Sequence, residues 1–220
     1  WTSRTADFSK ITVPILSAAN WGGQGLHPRG NFEGFTQSAS KHKWLEVHGR
    51  EHWSEFYTDY GREMQSAFFD HFLKGIDNGY ADRAPVKLYV RGDEAWREEA
   101  EWPLARAEMT PFHLTAGKSG SLTSLNDGGL STEAPAKNGG ATSYDYPDPA
   151  WKLGVVAMGP RGPDPIRRVL TFTTDPLEHD LEVTGPVVLE LHASSTVTDT
   201  DFIVKLSDQF PQSDDDRKAG

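Results

Sequence analysis

Two histidines flank a glutamate in the segment His48-Gly49-Arg50-Glu51-His52. On a helix, this H-x-x-E-H spacing would place both imidazoles on one face, where they could bind zinc while the glutamate transfers a proton. Here the segment follows a strand-like run and contains a glycine, which disfavours a helix. The match to the motif is literal, but its context is wrong, so we expect no metal at these residues.

His52 taken alone suggests different chemistry. It follows the predicted strand Trp44 to His48, and in open α/β sheets the catalytic groups gather at the carboxyl ends of strands. A histidine there can accept a proton from a serine hydroxyl and return it, because imidazole titrates near neutrality. A structural histidine with no catalytic role is the alternative that the spacing leaves open.

The chain lacks the nucleophile that such a base would serve. A serine of this class lies in a G-x-S-x-G turn between a strand and a helix, and that pattern does not occur in the 220 residues. Cysteine is also absent, which excludes disulfides, thiolate catalysis and zinc–thiolate sites within the chain. Because residue 1 is Trp rather than Met, we expect the chain to be part of a longer protein or a processed product.

Alternating strands and helices are predicted for the first part of the chain. The apolar run over residues 11–19 predicts a strand buried on both faces, Asn31 predicts the cap of a short helix, and residues 44–48 predict a second strand. Strand, helix and strand in this order indicate a βαβ unit. Apolar residues recur at helical spacing from Asp59 to Lys74 and predict a helix that ends at Gly75.

Beyond about residue 84 the periodicity changes from helical to alternating. Five short strands are predicted between turns rich in Gly, Pro, Asp and Ser: Val86 to Val90, Pro111 to Leu114, Val169 to Thr173, Val187 to Leu191 and Phe202 to Leu206. This pattern favours a β-sandwich of jelly-roll type. We expect residues 117–149 to be mostly irregular, and we place the boundary between two domains, 1–83 and 84–220, at this change.

Charge and hydropathy exclude two classes of partner. The chain has 22 Lys and Arg against 32 Asp and Glu, a net charge of -10, which argues against a broad basic face for nucleic acid. No run approaches the roughly 18 apolar residues of a membrane span. We therefore expect neither nucleic acid nor a membrane as a partner.

Several segments, in order, together resemble one known family. In the first half they are Ile11 to Leu16 with Asn20-Trp21, Leu45 to His52, and Phe68 to Gly75. In the second half they are Val86 to Val90 with Ala95 to Arg97 and Glu101 to Pro103, Leu170 to Phe172 with Asp175 to Leu177, Val183 to Pro186, and Asp199 to Phe202. This series resembles the CocE/NonD hydrolases, a group of esterases and X-prolyl dipeptidyl peptidases, and covers nearly the whole chain.

The resemblance implies a serine hydrolase that cleaves an ester or amide with a Ser-His-acid triad. Residues 1–83 would be the C-terminal part of an α/β-hydrolase domain, and residues 84–220 an incomplete jelly-roll sandwich. His52 matches the catalytic base of the family, while the serine and the oxyanion-hole donors would lie upstream of this chain. The implied partners are a small-molecule or peptide acyl substrate and the upstream half of the same enzyme; no cofactor is implied, and a homo-oligomer is left open.

The triad acid departs from the family pattern. Gly23 stands where the family usually has its catalytic Asp, in a Trp-x-Asp arrangement. Glu33 is the nearest carboxylate after that loop, and we take it as the candidate acid that orients His52. The alternative is a helix-start Glu that is stabilised by the helix dipole.

A rival function comes from a different class. The jelly roll could be a non-catalytic binding module that recognises carbohydrate or a partner protein. That function predicts a clustered aromatic face on the sandwich and gives His52 no role.

Overall fold

The computed structural model of the protein describes residues 4–21, 27–120, 124–136, 140–145, 158–159, 162–163 and 169–209. The chain divides into two compact units. The first comprises Trp1–Ala107 with Thr184–Pro186, and the second comprises Glu108–Val183 with Val187–Gly220. Neither α-helix in the described ranges has the length and apolar composition that a membrane-spanning helix requires.

The first unit is built from alternating strands and helices. Its elements are β1 (Ile15–Asn20), α1 (Pro28–Gln37), β2 (Lys43–His48), α2 (Asp59–Lys74), β3 (Val86–Val90) and β4 (Ala95–Glu99), with 3-10 turns at Phe8–Lys10 and Tyr80–Asp82. The four strands form one sheet in the order β1-β2-β3-β4. β1, β2 and β3 are parallel, and β4 is antiparallel to β3. The predicted βαβ unit is confirmed, and α2 forms the crossover of a second one.

The two helices cover opposite faces of this sheet. Leu45 and Val47 on β2 pack in one apolar cluster with Phe35 of α1. Trp44, also on β2, packs in a second cluster with Phe68 of α2. Because successive side chains of a strand point to opposite faces, these clusters place α1 on one side of the sheet and α2 on the other.

Helix α2 has the bounds that the sequence predicts. Thr58 caps its start, with Oγ1 accepting a 3.1 Å hydrogen bond from the amide of Gly61. Gly75 ends it in the left-handed conformation, with φ of 68°, and its amide donates a 3.1 Å hydrogen bond to the carbonyl of His71. A side chain would strain this backbone, so glycine at this position stops the helix.

Helix α1 begins earlier than predicted. It starts at Pro28 with His27 at the N-cap, rather than being capped by Asn31. Proline suits the first helical position, because its fixed φ is helical and its missing amide hydrogen would have no partner there. Asn31 instead ties the helix to β1, where its Nδ2 donates to Ser17 Oγ at 3.2 Å and to the Ala18 carbonyl at 3.0 Å.

The sheet of the first unit extends past the domain boundary that we predict at about residue 83. β3 pairs with β2, with Val86 opposite Leu45, and β4 pairs with β3. The first compact unit therefore continues to Ala107. Alternating apolar residues look the same in a sandwich strand and in the edge strand of a mixed sheet, so periodicity does not reveal which sheet a strand joins.

The second unit contains short strands. They are β5 (His113–Lys118), β6 (Gly128–Ser131), β7 (Met158–Gly159), β8 (Gly162–Pro163) and β9 (Phe172–Thr173). β6 pairs antiparallel with β5 and parallel with β9, and β7 pairs with β8. The described residues between 117 and 149 are mostly irregular, as predicted, although β6 forms a hairpin with β5 within this segment. The jelly-roll arrangement stays a prediction.

Two predicted strands are not strands in the structure. The segments Val187 to Leu191 and Phe202 to Leu206 lie in irregular structure, and their apolar side chains are largely exposed. A strand needs a hydrogen-bonded neighbour and a face to bury, and apolar alternation supplies neither by itself.

Candidate active site

His52 lies in the turns that connect β2 to α2, four residues after His48 ends the strand. Its side chain is exposed. Asn20, the last residue of β1, stands opposite His48 in the parallel register. His52 therefore follows the carboxyl ends of two parallel strands, which is the edge of an α/β sheet where catalytic groups gather.

The imidazole of His52 is stacked on a second imidazole. Its ring centroid lies 4.1 Å from that of His27, and the two planes differ by 17°. Trp53 meets His52 edge-on, with centroids 5.2 Å apart. Stacking uses the face of a ring and leaves its edges uncovered, so the two nitrogens of His52 keep their hydrogen-bonding capacity. The only local signal of His27 in the sequence is its position before Pro28, which does not predict a contact with His52.

A close contact with a tyrosine ring lies at the first end of the loop that bears His52. A Cβ on Gly49 would lie 2.4 Å from the ring of Tyr89 on β3, so a side chain at residue 49 would have to displace this ring. The Gly49 carbonyl accepts a 3.2 Å hydrogen bond from Arg91. Nearby, the indole nitrogen of Trp21 donates to the Tyr89 carbonyl at 2.8 Å. These contacts tie the chain that leaves β2 to the end of β3.

The other end of the loop is held against α2. A Cβ on Gly61 would lie 2.0 Å from the carbonyl oxygen of Glu55. That carbonyl also accepts a 2.7 Å hydrogen bond from Thr58 Oγ1, and the Glu55 carboxylate lies 3.5 Å from Nε of Arg50. The His52 loop is thus fixed on both sides of the histidine.

His48 does not act with His52 on a common helical face. It ends β2, is 7% exposed, and its Nδ1 accepts a 3.3 Å hydrogen bond from the amide of Arg50. Burial is the main cause that lowers the pKa of His48. Since His52 lies in a turn, the helical spacing that the zinc motif needs is not formed. Within the described ranges, no three His, Cys, Asp or Glu side chains are arranged to hold a metal ion.

Glu33 lies on α1, where its carboxylate contacts residues of the same helix. Its Oε1 is 3.9 Å from Nε of Arg29, and its Oε2 accepts a hydrogen bond from Gln37. No hydrogen bond or ion pair between the described residues joins Glu33 to His52. The other position that bears on the triad acid, Gly23, lies outside the described residues.

Asn20 is a polar residue at this edge that sequence reasoning missed. It is 2% exposed, and neither Oδ1 nor Nδ2 has a hydrogen-bond partner among the residues that the structure describes. Burying an amide without partners costs about 1–3 kcal/mol. A buried polar side chain at a strand end gives no periodic signal, because it occupies a position where the pattern expects an apolar residue.

A buried carboxylate links the start of α2 to the sheet. Glu46 on β2 is 7% exposed, and its Oε2 accepts a 2.7 Å hydrogen bond from the hydroxyl of Tyr60. Lys87 on β3 donates to the same hydroxyl at 2.7 Å. Burial raises the pKa of Glu46, against the opposing effects of the Tyr60 hydrogen bond and the Lys87 charge. This network anchors the first turn of α2, directly after the His52 loop.

Comparison with known proteins identifies one matching family model and several similar proteins. Residues 78–217 match the family model of the X-Pro dipeptidyl-peptidase C-terminal non-catalytic domain. The chain is similar to cocaine esterase from a Rhodococcus species, with 39% identity over 158 residues that cover 67% of this chain and 27% of the relative. It is also similar to two crystal structures of a CocE/NonD family hydrolase from Staphylococcus aureus.

The two crystal structures are 42% and 39% identical in sequence and each has a TM-score of 0.51. They cover 53% and 59% of this chain, which corresponds to 22% and 23% of the chain in those structures. The chain therefore spans about a quarter of the length of the relatives that it matches.

The matched domain and the candidate catalytic residues occupy different parts of the chain. The family model begins at residue 78, near the change of periodicity at about residue 84, and both His52 and Glu33 precede it. The family predicted from the ordered segments is confirmed by these matches. The chain belongs to the CocE/NonD hydrolase family, and its residues 78–217 represent the X-Pro dipeptidyl-peptidase C-terminal non-catalytic domain of that family.

Proposed function

We propose that this chain carries the general base of a serine hydrolase that cleaves an ester or an amide, and that His52 is this base. The observation that carries the proposal is the place of His52, exposed at the carboxyl ends of parallel strands in a loop held at both ends. Neither of its nitrogens has a hydrogen-bond partner within the described part of the chain. The name of the relative cocaine esterase supports ester hydrolysis.

The proposed reaction is acyl transfer through a serine supplied by an upstream part of the enzyme. His52 takes the hydroxyl proton as the serine oxygen bonds to the substrate carbonyl carbon, and then gives this proton to the leaving group. Water attacks the acyl-enzyme, and His52 takes its proton and returns it to the serine. This chain spans only part of the length of its relatives. That difference is compatible with a nucleophile and an oxyanion hole in an upstream part of the enzyme.

We assign residues 1–83 to the end of an α/β-hydrolase domain. The parallel pair of β1 and β2, with α1 and α2 on opposite faces of their sheet, supports this assignment. Residues 84–220 are assigned to a jelly-roll sandwich, supported by the family match over residues 78–217. The substrate class is a small-molecule or peptide acyl compound.

Glu33 is proposed as the acid that orients His52. Its support is its place on α1, the helix whose N-cap residue His27 contacts the imidazole of His52. For this role the carboxylate must exchange its contacts with Arg29 and Gln37 for one ring nitrogen of His52. An acid in that position holds the tautomer and stabilises the imidazolium.

The test uses the complete enzyme with p-nitrophenyl acetate as substrate. His52→Ala should lower kcat by about a thousandfold or more, because a triad base acts in the transition state. The melting temperature should change little, since the side chain is exposed. His42→Ala is the matched control, an exposed histidine just before β2 begins, and should retain normal turnover. A kcat within a few-fold of the wild type in His52→Ala would refute the proposal.

A further inference from the structure

The N-cap position of α1 is occupied by a histidine that does not cap. Ser, Thr, Asp and Asn are preferred there, because a side-chain oxygen can accept a hydrogen bond from the first free amides. His27 makes no such hydrogen bond. Its ring instead lies face to face with that of His52, with centroids 4.1 Å apart and planes inclined by 17°. Capping therefore does not account for this side chain.

The helix that carries His27 is tied to the sheet within one turn of that residue. Asn31 donates hydrogen bonds to Ser17 Oγ at 3.2 Å and to the Ala18 carbonyl at 3.0 Å. Ser17 Oγ in turn donates to the Asn31 carbonyl at 3.0 Å. Because residues four apart lie on one side of a helix, these bonds hold the start of α1 near the carboxyl end of β1.

The loop that carries His52 is held independently of α1. Gly49 packs beneath the ring of Tyr89, and Gly61 packs against the carbonyl of Glu55, each too closely for a side chain. The two imidazoles thus come from separately anchored segments. Each segment has its own backbone restraints, and the stack connects them at the candidate base.

We propose that His27 is a positioning residue that fixes the ring plane of His52 by stacking. A general base in a triad uses one nitrogen for the serine proton and the other for the orienting acid. A neighbour that formed a hydrogen bond with His52 would occupy one of these nitrogens, whereas a stacked ring restrains the plane and leaves both edges free. This inference rests on the proposed function of His52 as the base.

The stack can be measured without activity, by NMR of the complete enzyme labelled at the histidine Cε1 carbon. The His52 signal is identified by its loss in His52→Ala. Protons over the face of an aromatic ring are shielded, so His27→Ala should move the His52 signal downfield, while His27→Phe should keep it upfield. His42→Ala, which removes a histidine outside the stack, should not move it. An unmoved His52 signal in His27→Ala would overturn the proposal.

Turnover then tests the positioning role. His27→Ala should lower kcat by about 10- to 100-fold with KM nearly unchanged, because misplacement of a catalytic group slows the chemical step. His27→Phe, which preserves a flat ring, should recover most of that loss. Equal loss in the Phe and Ala variants would overturn the positioning role. If His52→Ala retains normal kcat, the proposed function fails instead, and the NMR result still reports whether the rings stack.

Discussion

Gly61 and Glu55 are in backbone contact at the junction of the His52 loop and α2. A Cβ on Gly61 would lie 2.0 Å from the carbonyl oxygen of Glu55. The Gly61 amide also donates to Oγ1 of Thr58, the N-cap of the helix. The loop can close onto the first turn of α2 only because residue 61 has no side chain.

Gly61→Ala should therefore destabilise the protein, although alanine is the better helix former. The methyl group must displace the loop, at a cost of about 1–3 kcal/mol in the free energy of unfolding. Gly30→Ala is the matched control, since Gly30 lies in α1 with no atom within 4 Å of the new Cβ. It should be neutral or stabilise by up to about 1 kcal/mol. Urea unfolding of both variants measures the difference, and equal stabilities would contradict the contact.

Removing the hydroxyl of Tyr60 should destabilise the protein, because this hydroxyl connects the first turn of α2 to Glu46 and Lys87 of the sheet. Tyr60→Phe leaves the buried carboxylate of Glu46 without its donor, which should cost about 1–3 kcal/mol. Tyr57→Phe loses a hydroxyl from a side chain that is 73% exposed and should leave stability unchanged. Thermal unfolding measures the stability of both variants. A Tyr60→Phe protein as stable as the wild type would show that this hydrogen bond makes no net contribution to stability.

The buried carboxyl of Glu46 should make stability depend on pH. Burial raises its pKa in the folded state, so the folded protein holds this proton more tightly than the unfolded chain does. The stabilising contribution is complete below the unfolded pKa of about 4.3 and is lost as the pH rises through the folded pKa.

Glu46→Gln removes that titration and keeps an oxygen that can accept from Tyr60. The melting temperature of the variant minus that of the wild type should therefore increase as the pH rises from about 4 to about 7. Scanning calorimetry across this range measures the difference. A difference that stays constant or decreases with pH would show that the folded pKa is not raised.

Glu33→Gln in the complete enzyme tests the proposed acid. The amide keeps the shape but removes the charge that stabilises the imidazolium, so kcat should fall by as much as about 10⁴-fold. If Glu33 serves only α1, through Arg29 and Gln37, the change should cost about 0.3–1 kcal/mol of stability and spare turnover. Parallel measurement of kcat and melting temperature separates these cases. Normal kcat beside an inactive His52→Ala would exclude Glu33 as the acid.

The sequence alone determined the elements whose signals are local. The sequence predicts both bounds of α2, because its apolar residues at helical spacing and Gly75 lie within one segment. β3 has the predicted bounds for the same reason. The ordered segments were also sufficient to identify the family, since they extend over much of the chain. The start of α1 was predicted wrongly because asparagine is a preferred N-cap residue, whereas the side chain of Asn31 forms hydrogen bonds with β1.

Only the tertiary structure decided which segments meet. The alternating run of β3 does not encode its pairing with β2, because pairing depends on backbone hydrogen bonds between segments distant in the chain. The stack of His27 on His52 joins two loops whose approach depends on α1 and on glycine contacts at Tyr89 and Glu55. Residue types and spacing predict His52 as a candidate base. The stacking of His27 against its ring is determined by the packing of α1 and the His52 loop.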